Sequence, residues 1–164
     1  PLERYPRLYV FGAGHVGAAL CAAASRVGFQ VTIIDEREEF ATHERCPAAA
    51  RFVRSYAPSD LRDLGYDAGT YCAVVTHDHR TDQDLCEFLL PLPARFVGMI
   101  GSRRKVEMTK QRLEAKGIDP AIVARLYAPI GLDILAETPE EIAVSIVGEL
   151  IRERRAGAAN PRPR

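Results

Sequence analysis

The sequence predicts an α/β domain with a doubly wound, mostly parallel sheet and helices on both faces. Three observations predict it. Short apolar or β-branched runs alternate with helix-patterned stretches along the whole chain. A G-x-G-x-x-G loop, Gly12-Ala13-Gly14-His15-Val16-Gly17, joins the first run to the first helical stretch. An acid, Asp35, ends the second run, 23 residues on from Gly12.

The elements follow in order. Residues 8–11 form an apolar first strand that stops at the glycine loop. Residues 15–27 are Ala-rich with apolar residues at helical spacing, and Gly28 ends that helix. Strands are predicted over 29–34 and, more weakly, 51–53, then a short helix near 59–64. A fourth strand over 71–75 runs into Thr76-His77-Asp78-His79. The helix over 81–90 is closed by Pro91 and Pro93. A fifth strand covers 95–100, and an amphipathic helix covers 102–116 with Gly117 just beyond it. A short helix falls within 118–125, a sixth strand over 126–130, and the last long helix over 139–154. That helix carries a full start signal: Thr138 as N-cap, Pro139 in first position and Glu141 completing a capping box. A single Rossmann-type domain over 1–155 with sheet order 3-2-1-4-5 is expected. The Ala/Gly/Pro/Arg tail over 156–164 is expected to be disordered. In such a sheet ligands bind beyond the carboxyl ends of the strands, and every unusual motif here falls at one of those ends.

Composition narrows the function classes. At 164 residues the chain is long enough to bury about two thirds of its unfolded surface in one core. Its formal net charge is zero, which gives no global electrostatic case for nucleic acid or an anionic membrane. Its cations are almost all Arg, Lys105, Lys110 and Lys116 being the three Lys, which suits bidentate recognition of phosphate or carboxylate. No apolar run reaches the roughly 18 residues of a membrane span, and no signal peptide is visible. Cys21, Cys46, Cys72 and Cys86 form neither a C-x-x-C pair nor a zinc-ligand spacing with His. Cytoplasmic, reduced thiols and no metal site are therefore expected.

The motifs point to an anionic ligand. Gly12 permits a tight turn, Gly14 lets backbone amides approach a phosphate, and Gly17 lets the helix lie close to the sheet. The helix start then attracts the anion. Asp35 stands where ribose hydroxyls would be bound. His15, in the first helical turn, either meets the ligand or faces solvent. His77, Asp78 and His79 can serve as acid–base groups or polar anchors, or Asp78 simply caps the next helix. Gly101-Ser102-Arg103-Arg104-Lys105 puts three cations at a helix start, against its dipole, which fits either a site that expects an anion or a solvated basic patch. Gly131 and Asp133 lie in a turn-like segment, 129–133, where Asp133 is a ligand contact or a local turn acceptor.

Taken together and in this order, Gly-Ala-Gly-His-Val-Gly, Thr-His-Asp-His, Ile-Gly-Ser-Arg-Arg-Lys, Pro-Ile-Gly-Leu-Asp-Ile and Glu-Thr-Pro-Glu-Glu-Ile-Ala-Val-Ser-Ile resemble one family. It is the C-terminal Rossmann domain of XdhC/CoxI-type proteins, accessory factors for xanthine dehydrogenase and carbon-monoxide dehydrogenase. The resemblance runs from about residue 8 to residue 154. It implies a cytoplasmic factor, without turnover of its own, that binds molybdenum cofactor as molybdopterin or its cytosine dinucleotide. That factor assists sulfuration of the cofactor and its insertion into a xanthine dehydrogenase-family molybdoenzyme. A cysteine desulfurase is implied as a second partner, and a homodimer is the expectation from base rates. The implied cofactor-binding residues are Gly12, Gly14, His15, Gly17, His77, Asp78, His79, Gly101, Ser102, Arg103, Arg104, Lys105, Gly131 and Asp133. Two departures stand out. Leu135 occupies a position where a small residue, usually Gly, is expected. The N-terminal domain of many members, with its Cys-containing motif, is expected to be absent from this chain, which begins at Pro1.

Two other readings compete. An NAD(P)-dependent oxidoreductase would use the glycine loop and Asp35 for its cofactor and His77 or His79 as proton donor. A nucleotide-sensing regulatory domain would need only the glycine loop and would have no use for the motifs at 101–105 and 129–133.

Overall fold

The computed structural model describes residues 5–157. Six parallel strands form one sheet in the order β3-β2-β1-β4-β5-β6. They are β1 (Arg7–Phe11), β2 (Gln30–Ile34), β3 (Arg51–Val53), β4 (Thr70–Val74), β5 (Phe96–Met99) and β6 (Leu126–Tyr127). The helices are α1 (His15–Arg26), α2 (Pro58–Arg62), α3 (His79–Leu89), α4 (Arg103–Ala115), α5 (Pro120–Val123) and α6 (Pro139–Ala156). This is the doubly wound α/β fold that the sequence predicts, with β6 added outside β5.

The alternation of side chains along the central strands builds the two layers. On β1, Leu8 and Val10 point to one face and Tyr9 and Phe11 to the other. Leu8 and Val10 join Leu20 and Ala24 of α1 and Ile146 and Leu150 of α6. Tyr9 and Phe11 join Leu61, Leu89 and Leu113, from α2, α3 and α4. β4 repeats the pattern, with Tyr71 and Ala73 on the first face and Cys72 and Val74 on the second. Strands covered on both faces read as continuous apolar runs, and all five residues of β4 are buried.

Local chemistry moves several boundaries. β6 ends at Tyr127 rather than residue 130, because Pro129 has no N–H to give to the ladder. α3 begins at His79, two residues early, because Asp78 is its cap and accepts from Thr81 N–H. α2 starts at Pro58, a residue preset for a first helical position. α6 opens with the predicted capping box of Thr138 and Glu141 and continues to Ala156, the first residue of the predicted tail. Residues 158–164, beyond Gly157 in that tail, lie outside the described residues. Among the described residues, no helix is long and apolar enough to cross a membrane.

Candidate functional site

β1 passes into α1 through the glycine loop, and each glycine has a distinct reason to be there. Gly12 sits at φ +110°, and a Cβ on it would lie 2.7 Å from Val75 O and 2.9 Å from Thr76 N. A Cβ on Gly17 would run into the carbonyl oxygen of Gly12. Gly14 is the opposite case: a Cβ there would meet nothing within 4 Å, so the loop is open on that side. Gly14 is also the N-cap of α1, gives no side-chain cap, and is followed by no acid in the first turn. The first intrahelical bond is Ala18 N–H to Gly14 O, so the N–H groups of His15, Val16 and Gly17 stand at the positive end of a twelve-residue helix. The His15 side chain is exposed.

Asp35 is braced from inside the protein. It is 1% exposed, and its carboxylate accepts from Ala13 N–H at 2.9 Å. Arg37 supplies three more bonds, from its own N–H at 2.9 Å, Nε at 3.0 Å and Nη2 at 2.8 Å. Burial pushes this carboxyl up, but the Arg37 fork and the Ala13 N–H outweigh burial and hold it below the usual carboxylate range. Arg45 grips the other end of the same residue, donating twice to Ala13 O at 3.2 and 3.0 Å. The guanidinium groups of Arg37 and Arg45 both lie over the Phe40 ring, 3.8 and 4.6 Å from its centroid. Ribose hydroxyls would reach Asp35 only by displacing the Arg37 fork. Arg37 and Arg45 escape sequence reasoning because they lie in the irregular stretch between β2 and β3, where no period marks them.

The end of β4 contributes a different set. Thr76, His77, Asp78 and Thr81 line a cleft of about 240 Å³ together with Asp35, Glu36, Arg37 and Tyr56. His77 and Asp78 are exposed at its mouth. His79 turns away from them: its Nε2 lies 2.9 Å from the Gln83 amide, which in turn donates to Thr109 Oγ1 on α4 at 3.2 Å. The triad read from sequence is therefore split, with His77 and Asp78 at the cleft and His79 in the α3–α4 contact. A residue without a motif stands beneath them. Asp82 is 3% exposed, and its Oδ1 accepts from both the N–H and the hydroxyl of Thr76, at 3.1 and 2.6 Å. Burial pushes its carboxyl up to about 7, against the pull of the Thr76 bonds.

Beyond the ends of β5 and β6 lies a second cleft of about 390 Å³. Gly101, Arg103, Gly131 and Asp133 line it, with Ile100, Leu132, Leu135, Ile142 and Ser145 among its apolar and hydroxyl surfaces. Ser102 caps α4, accepting from Lys105 N–H at 3.3 Å, and Arg103, Arg104 and Lys105 are exposed. Gly131 is at φ +100° and packs against Ser145 with no room for a Cβ. Its N–H donates to Glu149 Oε1 at 2.9 Å, and Ser145 Oγ donates to Leu132 O at 2.6 Å, so successive turns of α6 hold this loop. Leu135 has φ +59°, the left-handed region that glycine favours, with its side chain 87% exposed. The expectation of a small residue there is thus explained: the backbone keeps the glycine conformation and the leucine bears its strain.

No group of three or more His, Cys, Asp and Glu side chains gathers as a metal site among the described residues. All four cysteines are buried free thiols, and neither cleft is lined by one. Burial raises the Cys72 and Cys86 thiols, and a hydrogen bond to Cys46, with burial, raises Cys21.

Comparison with known proteins places this geometry in context. The family model of the XdhC Rossmann domain matches residues 8–150. A protein of Bacillus subtilis (strain 168), named as a probable subunit of xanthine dehydrogenase, is 34% identical over 154 residues, covering 94% of this chain and 44% of that protein. The uncharacterized protein YqeB of Escherichia coli K12 is 31% identical over 148 residues, covering 90% of this chain and 27% of its own length. A crystal structure described as a xanthine dehydrogenase from Bacillus halodurans matches with a TM-score of 0.80 at 34% identity, over 96% of this chain and 45% of that one. The chain spans less than half the length of each of these relatives.

Proposed function

This chain belongs to the XdhC Rossmann-domain family, and from that premise we propose that it is the cofactor-holding part of a xanthine dehydrogenase accessory factor. Its cargo is molybdenum cofactor, which it binds by the phosphate end and passes to a xanthine dehydrogenase-family molybdoenzyme. The observation that carries this reading is that anion-seeking groups all fall at the carboxyl end of one parallel sheet. The uncapped, acid-free start of α1 follows β1, whose neighbours β2 and β4 end at the first cleft, and among the exposed cations of α4 Arg103 lines the second. The hydrogen-bonding edges of a pterin find partners in His77 and Asp78 at the first cleft, and Arg103, Arg104 and Lys105 offset the remaining negative charge.

The residues fit holding better than sulfur chemistry. A protein that itself passes sulfur to the cofactor needs an accessible thiolate, and the four thiols here are buried away from both clefts. Sulfuration is therefore assigned to a partner, a cysteine desulfurase, acting on cofactor presented by this domain. The oxidoreductase alternative is weakened by the Arg37 fork, which occupies the acid that NAD would need for its ribose. The sensor alternative leaves the second cleft without a use.

Thermal unfolding of the purified chain with molybdenum cofactor and, separately, with NAD tests the reading. A ligand at 100 times its dissociation constant adds about 2.7 kcal/mol of stability, a shift of several degrees for a domain of this size. Stabilisation by the cofactor alone supports the reading. Stabilisation by NAD alone overturns it.

A further inference from the structure

The amino end of the sheet, opposite the glycine loop, carries a small pocket. Its volume is about 110 Å³, and it is lined by Leu90, Arg95, Val97, Arg125 and Tyr127. Arg95 immediately precedes β5, and Arg125 immediately precedes β6. We infer that this pocket is a second anion site, which takes the phosphate or carboxylate group of a small metabolite. It stands whatever the glycine loop binds.

Three observations carry it. First, the protein leaves one guanidinium unsatisfied. Arg95 donates from Nη2 to the Glu153 carbonyl at 2.7 Å, and the Tyr71 hydroxyl is a further partner of the same side chain. Its Nε is buried without a hydrogen bond, the one such side-chain nitrogen or oxygen among the described residues. A buried donor that gives up water and gains no acceptor is costly, and an ion or water that completes it is one of the standard explanations. Second, the charge at the pocket has no counterion. Neither Arg95 nor Arg125 forms an ion pair among the described residues. Arg125 donates from Nη2 to the Ala94 carbonyl at 3.1 Å, and its Nε and Nη1 make no hydrogen bond among those residues. Glu153 gives Arg95 only a backbone carbonyl. Its carboxylate accepts from the Tyr127 hydroxyl at 3.0 Å and pairs with Arg152 Nε at 3.4 Å. No acid lines the pocket, and the buried Leu90 and Val97 make part of its wall apolar, which strengthens the pull of two cations on an anion. Third, the donors are preset. Arg95 is pinned at the end of α6, in space that a Cβ on Gly157 would take from its guanidinium. The edge formed by Nε and one Nη fits a carboxylate or phosphate through two parallel bonds. Arg125 is exposed, so the pocket is open to solvent on its side. Its volume is well below the roughly 300–1,000 Å³ that takes a whole drug-sized ligand, so it suits the anionic group of one.

Titration of the full chain with inorganic phosphate and, separately, with acetate, at fixed ionic strength, tests it by NMR. The readouts are the arginine side-chain Nε–H signals and the backbone amides. The expected result is a saturable shift of the Arg95 and Arg125 signals, and whichever anion produces it names the group that the pocket takes. Arg125→Gln, at an exposed position, should weaken that binding at least tenfold and leave the response of the amides of residues 15–17 unchanged. Arg95→Lys keeps the charge without the fork and should weaken it as well. No shift of the two side chains with either anion, or one that only grows in proportion to concentration, refutes the site. A saturable shift with the same midpoint in both variants refutes its placement in this pocket. A response at residues 15–17 without one at Arg95 and Arg125 refutes this site and leaves the proposed function standing. The reverse pattern supports this site and counts against phosphate binding at the glycine loop.

Discussion

Asp82→Asn changes one proton and keeps the local bonds, because the asparagine oxygen still accepts from the N–H and hydroxyl of Thr76. In the native chain the carboxyl ionises at about 7, burial being the main cause, with the neighbouring Asp78 adding to it and Lys105 opposing it. In the unfolded chain it ionises near its ordinary value of about 3.9. A raised carboxyl pKa means that the folded state binds the proton more tightly. The stability this gives is fully present below about pH 4 and is lost as pH rises through about 7. A rise of about three pH units at 1.36 kcal/mol each sets a ceiling of about 4 kcal/mol, and relaxation of the site brings the expected loss to roughly 2–4 kcal/mol. Urea unfolding followed by circular dichroism between pH 4.5 and 8 reads it directly. The native chain should lose stability across that range, the Asn variant should lose much less, and the variant should be the more stable protein at pH 8. Parallel pH profiles for the two proteins would refute the assignment of a buried, neutral-range acid to this position.

Three further outcomes are expected. Leu135→Gly relieves a left-handed leucine whose side chain is almost wholly exposed; the strain of about 1–2 kcal/mol less the entropy cost of glycine leaves a gain of about 0.5–1 kcal/mol in urea unfolding. Arg37→Met keeps contact with Phe40 but strips a buried carboxylate of all its bonds except the two backbone N–H groups, and should cost about 2–4 kcal/mol, with a steeper loss above pH 4 where Asp35 is charged. Replacing Arg103, Arg104 and Lys105 together with Gln removes three cations from a helix start, so stability should hold or rise by up to about 1 kcal/mol while affinity for the phosphate-bearing ligand falls; unchanged affinity removes these residues from the site.

The fold was legible because its signals are periodic or positional. The apolar runs, the glycine loop, the Thr138–Glu141 capping box and the prolines each act through the local backbone, so each can be read from a few adjacent residues. The expectation of a small residue at Leu135 came from the family resemblance alone, and the left-handed backbone there accounts for it. What stayed hidden depends on contacts between distant parts of the chain. Arg45 is 32 residues from the Ala13 carbonyl it grips, and Arg37 matters because Asp35 is buried against the loop rather than open to a ribose. Asp82 reads as an ordinary polar residue of a helix, and only the packing of α3 under the end of β4 turns it into a buried acid. The sequence groups His77, Asp78 and His79 because they are adjacent, but the helix that begins at His79 rotates that side chain toward α4.

The site's openness bears on its proposed role. An enzyme gains by closing around its substrate, because expelling water strengthens every charge interaction inside. Here the groups proposed to face the ligand are a helix start, exposed cations on α4, and His77 and Asp78 at a cleft mouth, all within reach of solvent. Interactions of that kind are screened by salt and are readily exchanged for those of another protein. The rigid parts lie one layer back, where Asp35, Arg37 and Arg45 lock Ala13 and α6 locks the loop at Gly131. A preformed cradle with an exposed rim can hold a cargo in a fixed pose and still release it to a partner that covers the same edge. A domain that had to complete the chemistry itself would need the reverse arrangement, with reactive groups in front and water excluded.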